Sequence, residues 1–230
     1  DALVVDEGQD INRKQWDSLL WSLHDPYKNP VYIFHDNNQK VYNKDELDLP
    51  DFPKYPHILK KNYRNSQDIF ATQKSYYKGE STTSEGPKGE SVSYFIAPTR
   101  EIAEKKIINL INKYTINEGM DKKQIAILTG NKLGTSSSIL GNYLTKDFNG
   151  KKKDNLYFVK AEKNEEDEIV FDSIKRFKGL EREIVILFDL EDALENPEEM
   201  YIGLSRPKLI LDIIGTEKNI EILNKISEDG

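Results

Sequence analysis

Short apolar runs of strand length alternate with helix-period segments along most of this chain, and that alternation limits its fold more than any other feature. Residues 2–5 (Ala-Leu-Val-Val) read as a strand. A helix follows over 13–24, with Trp16, Leu19, Leu20 and Leu23 spaced for one face. A second strand is expected at 31–34, and Ser66 is placed to cap a helix to about 77. Strand 92–96 leads to Thr99, which caps an amphipathic helix to about 114 with Ile102, Ile107, Ile108 and Ile111 on its buried side. Strand 125–129, a helix from the Ser-rich 135–138 to 144, and strands at 169–171 and 184–188 come next. Helix 198–205, strand 209–214 and helix 217–227 complete the pattern. This order predicts an α/β fold, a mainly parallel sheet covered by helices on both faces. Such sheets place their chemistry at the carboxyl ends of strands.

Three stretches interrupt the alternation. Residues 43–56, rich in Pro and Asp, read as an exposed loop. Residues 78–90 have the composition of a linker or of a surface loop inside one domain. Residues 150–168 are mostly charged and are expected to be solvated.

Length and composition narrow the function classes. The 230 residues suffice for one large domain or two small ones. A hydrophobic fraction of 37% with 10% aromatics excludes disorder. No apolar run reaches about 18 residues, so a transmembrane helix is not expected. Lys and Arg total 33 against 40 Asp and Glu, a net charge of −7, so any nucleic-acid contact has to come from a local patch. Cysteine is absent, which excludes disulfides and thiolate metal sites and fits a reducing compartment. With no signal peptide visible, a cytoplasmic location is expected. His24, His35 and His57 are too dispersed to suggest zinc. The chain opens at Asp1 next to a core-like strand, so it is expected to be a piece of a longer protein.

Several polar clusters follow these strands, each with two readings. Asp6-Glu7 puts two carboxylates at a strand tip, suited to a magnesium ion and an attacking water. The same residues suit the acidic start of the next helix. Asp36-Asn37-Asn38-Gln39 offers an amide to a phosphate or forms an Asx-rich turn. Asn62-Tyr63-Arg64-Asn65-Ser66 sets an aromatic ring beside a guanidinium, for stacking and charge neutralisation or as a surface Arg beside a core Tyr. Lys175, Arg176 and Lys178 form a local cationic patch with Gly179, suited to phosphate or simply a solvated turn. Arg206, before Pro207, is either a helix C-terminal cation or an arginine finger. Gly130 to Ser136 lies between a strand and a helix as a phosphate loop would, but lacks the G-x-x-x-x-G-K-[ST] spacing; no segment of the chain has that pattern.

The order of the clusters carries a resemblance. Val-Val-Asp-Glu-Gly-Gln-Asp (4–10), Asp-x-x-Gln (36–39), Asn-Tyr-Arg-Asn-Ser (62–66), Phe-Lys-Gly-Leu-Glu (177–181) and Tyr-Ile-Gly-Leu-Ser-Arg (201–206) resemble motifs II, III, IV, V and VI of the UvrD/Rep-type superfamily 1 DNA helicases. The resemblance runs from residue 1 to about 211, although 67–169 match only in general pattern. It implies RecA-like, P-loop NTPase architecture: 1–60 as the C-terminal part of a first RecA-like domain, 61–230 as a second. It implies ATP and Mg2+ as cofactors and single-stranded DNA as partner, with RNA an open alternative. By the resemblance, Asp6 and Glu7 hold magnesium, Glu7 activates water and Gln39 senses the γ-phosphate. Tyr63 stacks on adenine, Arg64 and Arg206 reach the γ-phosphate, and Gly179 and Glu181 lie near the nucleotide, Glu181 toward the ribose. Ser173 and Lys175 take the positions that touch the DNA strand, and Tyr42 matches an aromatic position near the DNA channel.

The chain departs from that family at several points. His35 stands where a Gly usually precedes Asp36, and Lys175 where the family has His. The aromatic stretch expected after motif III is missing from 43–49, and the Walker A loop is absent. The expectation is therefore a fragment of an ATP-dependent helicase or translocase, itself inactive. The alternative is a degenerate motor domain used for docking protein or nucleic acid. Superfamily 2 helicases fit less well, since the Gly-Arg-x-x-Arg of their motif VI is missing.

Overall fold

The computed structural model describes residues 1–25, 28–40, 50, 57–90, 92–131, 151–153, 156–161 and 168–229. Tyr42, most of the 43–56 loop, the helix expected at 135–144 and residues 150, 154–155 and 162–167 of the charged 150–168 stretch lie outside the described residues. The chain divides into two compact units, Asp1–Leu59 and Lys60–Gly230.

The first unit is built from β1 (Leu3–Val5), α1 (Arg13–Leu20) and β2 (Val31–Ile33). The strands pair in parallel, Leu3 opposite Val31 and Val5 opposite Ile33. Parallel neighbours need a crossover, and α1 supplies it. A capping box of Asn12 and Gln15 starts α1, and Trp16 is buried beneath it. The helix stops at Leu20, short of the expected 24. Its end tightens into three-residue bonds, Ser22 N to Leu19 O and Leu23 N to Leu20 O, both 3.1 Å. Trp21 is consequently exposed while Leu23 turns inward.

The second unit contains β3 (Lys61–Asn62), α2 (Gln67–Lys74), β4 (Thr83–Ser84), β5 (Ser93–Ile96), α3 (Arg100–Asn112), β6 (Ile125–Thr129), β7 (Lys151–Lys153), β8 (Leu156–Val159), β9 (Ile169–Ser173), β10 (Arg182–Phe188), α4 (Glu191–Leu194), α5 (Pro197–Ser205), β11 (Pro207–Gly215) and α6 (Glu217–Asp229). Its seven-stranded sheet has the order β5-β11-β10-β6-β9-β8-β7. The first six strands run parallel, and β7 joins β8 antiparallel at the edge. Every residue of β6 and β9 is buried, as central strands covered on both faces require. The α/β class expected from the sequence is the class observed.

Two local expectations are corrected and one open choice is decided. Thr99 does cap α3, accepting from Ile102 N at 3.4 Å, but Ile102 itself is exposed and the buried stripe is Ala103, Ile107, Leu110 and Ile111. Residues 150–168 are not simply solvated: Leu156–Val159 form β8 against β9, with Phe158 and Val159 buried. Flanking lysines hide this apolar run from a compositional reading. Of the two readings of 78–90, a linker or a surface loop inside one domain, the second fits: the segment contributes β4 to a parallel pair with β3 within the second unit. Among the described residues, no helix is long and apolar enough to cross a membrane.

One polar pair is set into this core. The Tyr114 hydroxyl donates to Asp212 Oδ2 at 2.5 Å, and both residues are buried. Burial pushes both pKa values up, and the hydrogen bond raises that of Tyr114 further while partly offsetting the effect at Asp212.

Candidate functional site

In the first unit, the carboxyl tips of β1 and β2 meet through side chains. Asp6 is exposed, and its Oδ1 accepts from Glu7 N at 2.9 Å. Glu7 has φ 52°, a left-handed conformation costing a non-glycine residue about 1–2 kcal/mol. Gly8 comes next because a Cβ there would lie 2.5 Å from Ile33 Cγ2. Gln9 is buried; its Nε2 donates to Glu7 Oε2, and its Oε1 accepts from Asp36 N at 3.1 Å. Asp36 Oδ2 in turn accepts from Gln39 Nε2 at 3.0 Å. Glu7 and Gln39 are thus joined through Gln9 and Asp36. Sequence reasoning gave Gln9 no role, although it sits inside the first acidic motif.

In the second unit, three segments distant in sequence converge at the amino ends of β10 and β11. The 62–66 loop is shaped by its asparagines. Asn62 Oδ1 accepts from Arg64 N (3.1 Å) and Asn65 N (3.0 Å), an Asx-type turn. Buried Asn65 donates from Nδ2 to Ser205 O (3.1 Å) and Pro207 O (2.6 Å). Its Oδ1 accepts from Asn62 Nδ2 (2.8 Å) and Gln73 Nε2 (3.2 Å). One carboxamide therefore fastens the loop to the carbonyls on both sides of Arg206. Ser66 occupies the N-cap position of α2 without making the expected side-chain cap. Its buried hydroxyl lies where a side chain on Gly89 would stand, 2.4 Å from that Cβ position.

Tyr63, 65% exposed, and Arg64 project from this turn. Arg64 Nε lies 3.0 Å from Glu181 Oε2, and Lys208 Nζ lies 2.6 Å from Glu181 Oε1. The hydrogen bond from Lys208, then the Arg64 charge, hold the Glu181 carboxyl below its ordinary range against partial burial. Gly179, two residues before, has φ 81° and needs to be glycine for that reason. Arg206 is only 2% exposed. Its guanidinium donates to Ile202 O (3.1 Å), Ser205 Oγ (2.8 Å) and Leu180 O (3.3 Å).

Ser173 and Lys175 lie elsewhere, at the carboxyl end of β9. Ser173 is nearly buried and accepts from Arg176 N at 3.4 Å. Lys175 Nζ pairs with Glu199 Oε2 at 2.9 Å, and Arg176 Nε with Asp172 Oδ1 at 3.0 Å. Both carboxylates are buried, so Lys175 and Arg176 of the expected patch carry internal counterions. Glu199 and Asp172 escaped sequence reasoning because an acidic residue in a helix first turn or at a strand end normally reads as solvated. Residues 174–181 form a short crossover from the carboxyl end of β9 to the amino end of β10. It carries Lys175 at one end and Gly179 and Glu181 at the other.

A cavity of about 280 Å³ opens at the carboxyl ends of β5, β6, β10 and β11, lined in part by Thr99, Arg100, Asn131, Asp189 and Asn219. It contains none of the residues expected to act. Among the described residues, no group of three or more His, Asp or Glu is gathered to hold a metal by itself.

No family model matches this chain, and no curated protein does. Among solved structures it is similar to the C-terminal domain of a protein described as a possible DNA helicase from Lactobacillus plantarum WCFS1. That match has 16% identity and a TM-score of 0.49, covering 67% of this chain and 87% of that one. It is also similar to the helicase of PRRSV, at 14% identity and a TM-score of 0.48, over 96% of this chain and 36% of that one.

Proposed function

We propose that this chain is the motif-bearing part of an ATP-dependent motor of the UvrD/Rep superfamily 1 type that moves on single-stranded DNA. One observation carries the reading: Arg64, Glu181 and the turn around Arg206, which the resemblance assigns to one nucleotide site, share a cluster. In this reading 1–60 and 61–230 are parts of two RecA-like domains, and a longer protein supplies the phosphate loop.

The residues at the β1 and β2 tips fit a Mg2+–ATP complex. Magnesium keeps several waters and takes one or two carboxylates plus substrate phosphates, which Asp6 and Glu7 can offer. Bound ATP supplies the phosphoryl group whose transfer drives movement. Glu7 orients and deprotonates the attacking water, held in place by Gln9. Gln39, tied to Glu7 through Asp36 and Gln9, senses the γ-phosphate. Tyr63 stacks on adenine, Gly179 lies beside the nucleotide and Glu181 faces the ribose. Arg64 leaves Glu181 to neutralise charge on the transferring group. Arg206 performs the same task only after its guanidinium exchanges Leu180 O and Ser205 Oγ for phosphate. Ser173 and Lys175 meet the nucleic-acid backbone, with Tyr42 beside the strand. A cytoplasmic location goes with this reading.

The test is ATP hydrolysis by the full-length protein and its Glu7→Gln variant. The reading expects turnover that the substitution abolishes, and none from residues 1–230 alone. Turnover by 1–230 that survives Glu7→Gln contradicts it.

The inward burial of Arg206 favours a second reading, a degenerate motor domain used for docking. Full-length protein without hydrolysis, but with binding of a partner or nucleic acid, would decide for it.

A further inference from the structure

Two crossovers run side by side in the second unit. One is the 174–181 turn; the other is α5, which begins after Asn196 and ends at Arg206. They touch at three levels. Lys175 Nζ meets Glu199 Oε2 at 2.9 Å. A Cβ on Gly203 would lie 2.9 Å from Ile174 Cδ1, so the backbone of α5 rests on Ile174. Arg206 Nη1 donates to Leu180 O at 3.3 Å. A displacement of one crossover therefore reaches the other.

The ion pair at the first level is asymmetric. The Lys175 side chain is 41% exposed, whereas that of Glu199 is 3% exposed. Burial raises the pKa of Glu199, and the hydrogen bond and charge of Lys175 oppose that rise; the nearby Asp192 adds to it. Glu199 lies in the first turn of α5, where its N–H donates to Asn196 Oδ1 at 3.3 Å.

We propose that the Lys175–Glu199 pair is a latch, through which a nucleic-acid phosphate at Lys175 changes the position of α5 and so of Arg206. The inference rests on the reading that Lys175 meets a nucleic-acid strand. A phosphate on the exposed side of Lys175 competes for the ammonium with Glu199. Removing one partner from a buried ion pair leaves an uncompensated charge, a strongly unfavourable state. Glu199 must then gain a proton or move, and α5 moves with it. Glu199 is a positioning residue here; it touches neither nucleotide nor nucleic acid.

The experiment measures single-stranded oligothymidylate binding to the 230-residue chain by fluorescence anisotropy across a salt series. Glu199→Gln removes the competing charge at constant shape. It should tighten binding several-fold at an unchanged slope of log K against log salt, since the phosphate contact is made in both chains, whereas loss of Lys175 should flatten that slope by about 0.7, the value for one phosphate contact on a single strand. Lys175→Met should weaken binding and cancel the effect of Glu199→Gln. Hydrogen exchange over 197–206 should quicken on oligonucleotide binding in the parent chain and not in Glu199→Gln. Thermal unfolding identifies folded variants, and Lys175→Arg, which keeps the charge, should retain the exchange response. An unchanged affinity in Glu199→Gln, or equal tightening in the Lys175→Met background, overturns the latch alone. Failure of every variant to bind at low salt overturns the nucleic-acid reading as well.

Discussion

Arg64 Nε lies 3.0 Å from Glu181 Oε2, so the loop before α2 and the turn before β10 share an ion pair. Lys208 takes the other carboxylate oxygen. Two cations therefore converge on one acid, and a polyphosphate arriving there competes with that acid for them. Both side chains of the Arg64–Glu181 pair remain over a third exposed, so solvent screens the pair and its share of stability is small.

Arg64→Ala should accordingly change the unfolding free energy by less than about 1 kcal/mol. In the full-length protein the same change should lower ATP turnover by about 10³-fold or more, the effect of removing an arginine finger. Urea unfolding and steady-state hydrolysis measure the two quantities. A large stability loss, or turnover within a few-fold of the parent, contradicts the assignment.

Asn65 should behave in the opposite way. Its buried amide donates to the carbonyls of Ser205 and Pro207. Asn65→Asp keeps the shape but removes those donors, leaving carbonyls unsatisfied at about 1–3 kcal/mol each. Gly86→Ala should disturb the same loop, since its Cβ would lie 1.9 Å from Asn65 O. Both variants should lower the midpoint of thermal unfolding, with Gly86→Ala unable to relieve its clash without a backbone shift. An unchanged midpoint in either variant would show that the loop is not fastened in this way.

The buried Asp212 gives a pH dependence with a definite sign. Burial raises its pKa above the ordinary 3.8, so the folded chain keeps this proton to higher pH than the unfolded chain does. Between the unfolded and folded values the folded state binds more protons, so this group's contribution falls as pH rises through that window. Asp212→Asn removes the dependence. Its stability relative to the parent should rise as pH increases from 3.8 and level off once Asp212 is ionised in both states. A difference that is flat with pH contradicts the argument. Tyr114→Phe should cost about 1–3 kcal/mol by depriving the buried Asp212 carboxyl group of its hydrogen-bond partner.

The alternation of apolar runs was enough to read the α/β class, because β6, β9 and β10 announce themselves as short continuous apolar segments. It missed β8, whose four residues sit among lysines, and it put Ile102 on the wrong side of α3, one position off the buried stripe. At the candidate site, the order of motifs singled out Arg64, Glu181 and Arg206, and the structure brings their segments together. What the sequence could not disclose is which partners these residues have inside the fold. The bond from Asp36 to Gln9, the clamp of Asn65 around Arg206 and the counterion Glu199 all depend on crossover geometry. A linear pattern carries no signal for them beyond a buried polar residue next to a motif.

The most direct test of the account is steady-state ATP hydrolysis by the full-length protein with and without single-stranded DNA, alongside Arg64→Ala and Glu7→Gln. The account predicts strong stimulation by DNA in the parent and loss of turnover in both variants. Hydrolysis absent with and without DNA, or equal turnover in parent and variants, would contradict it.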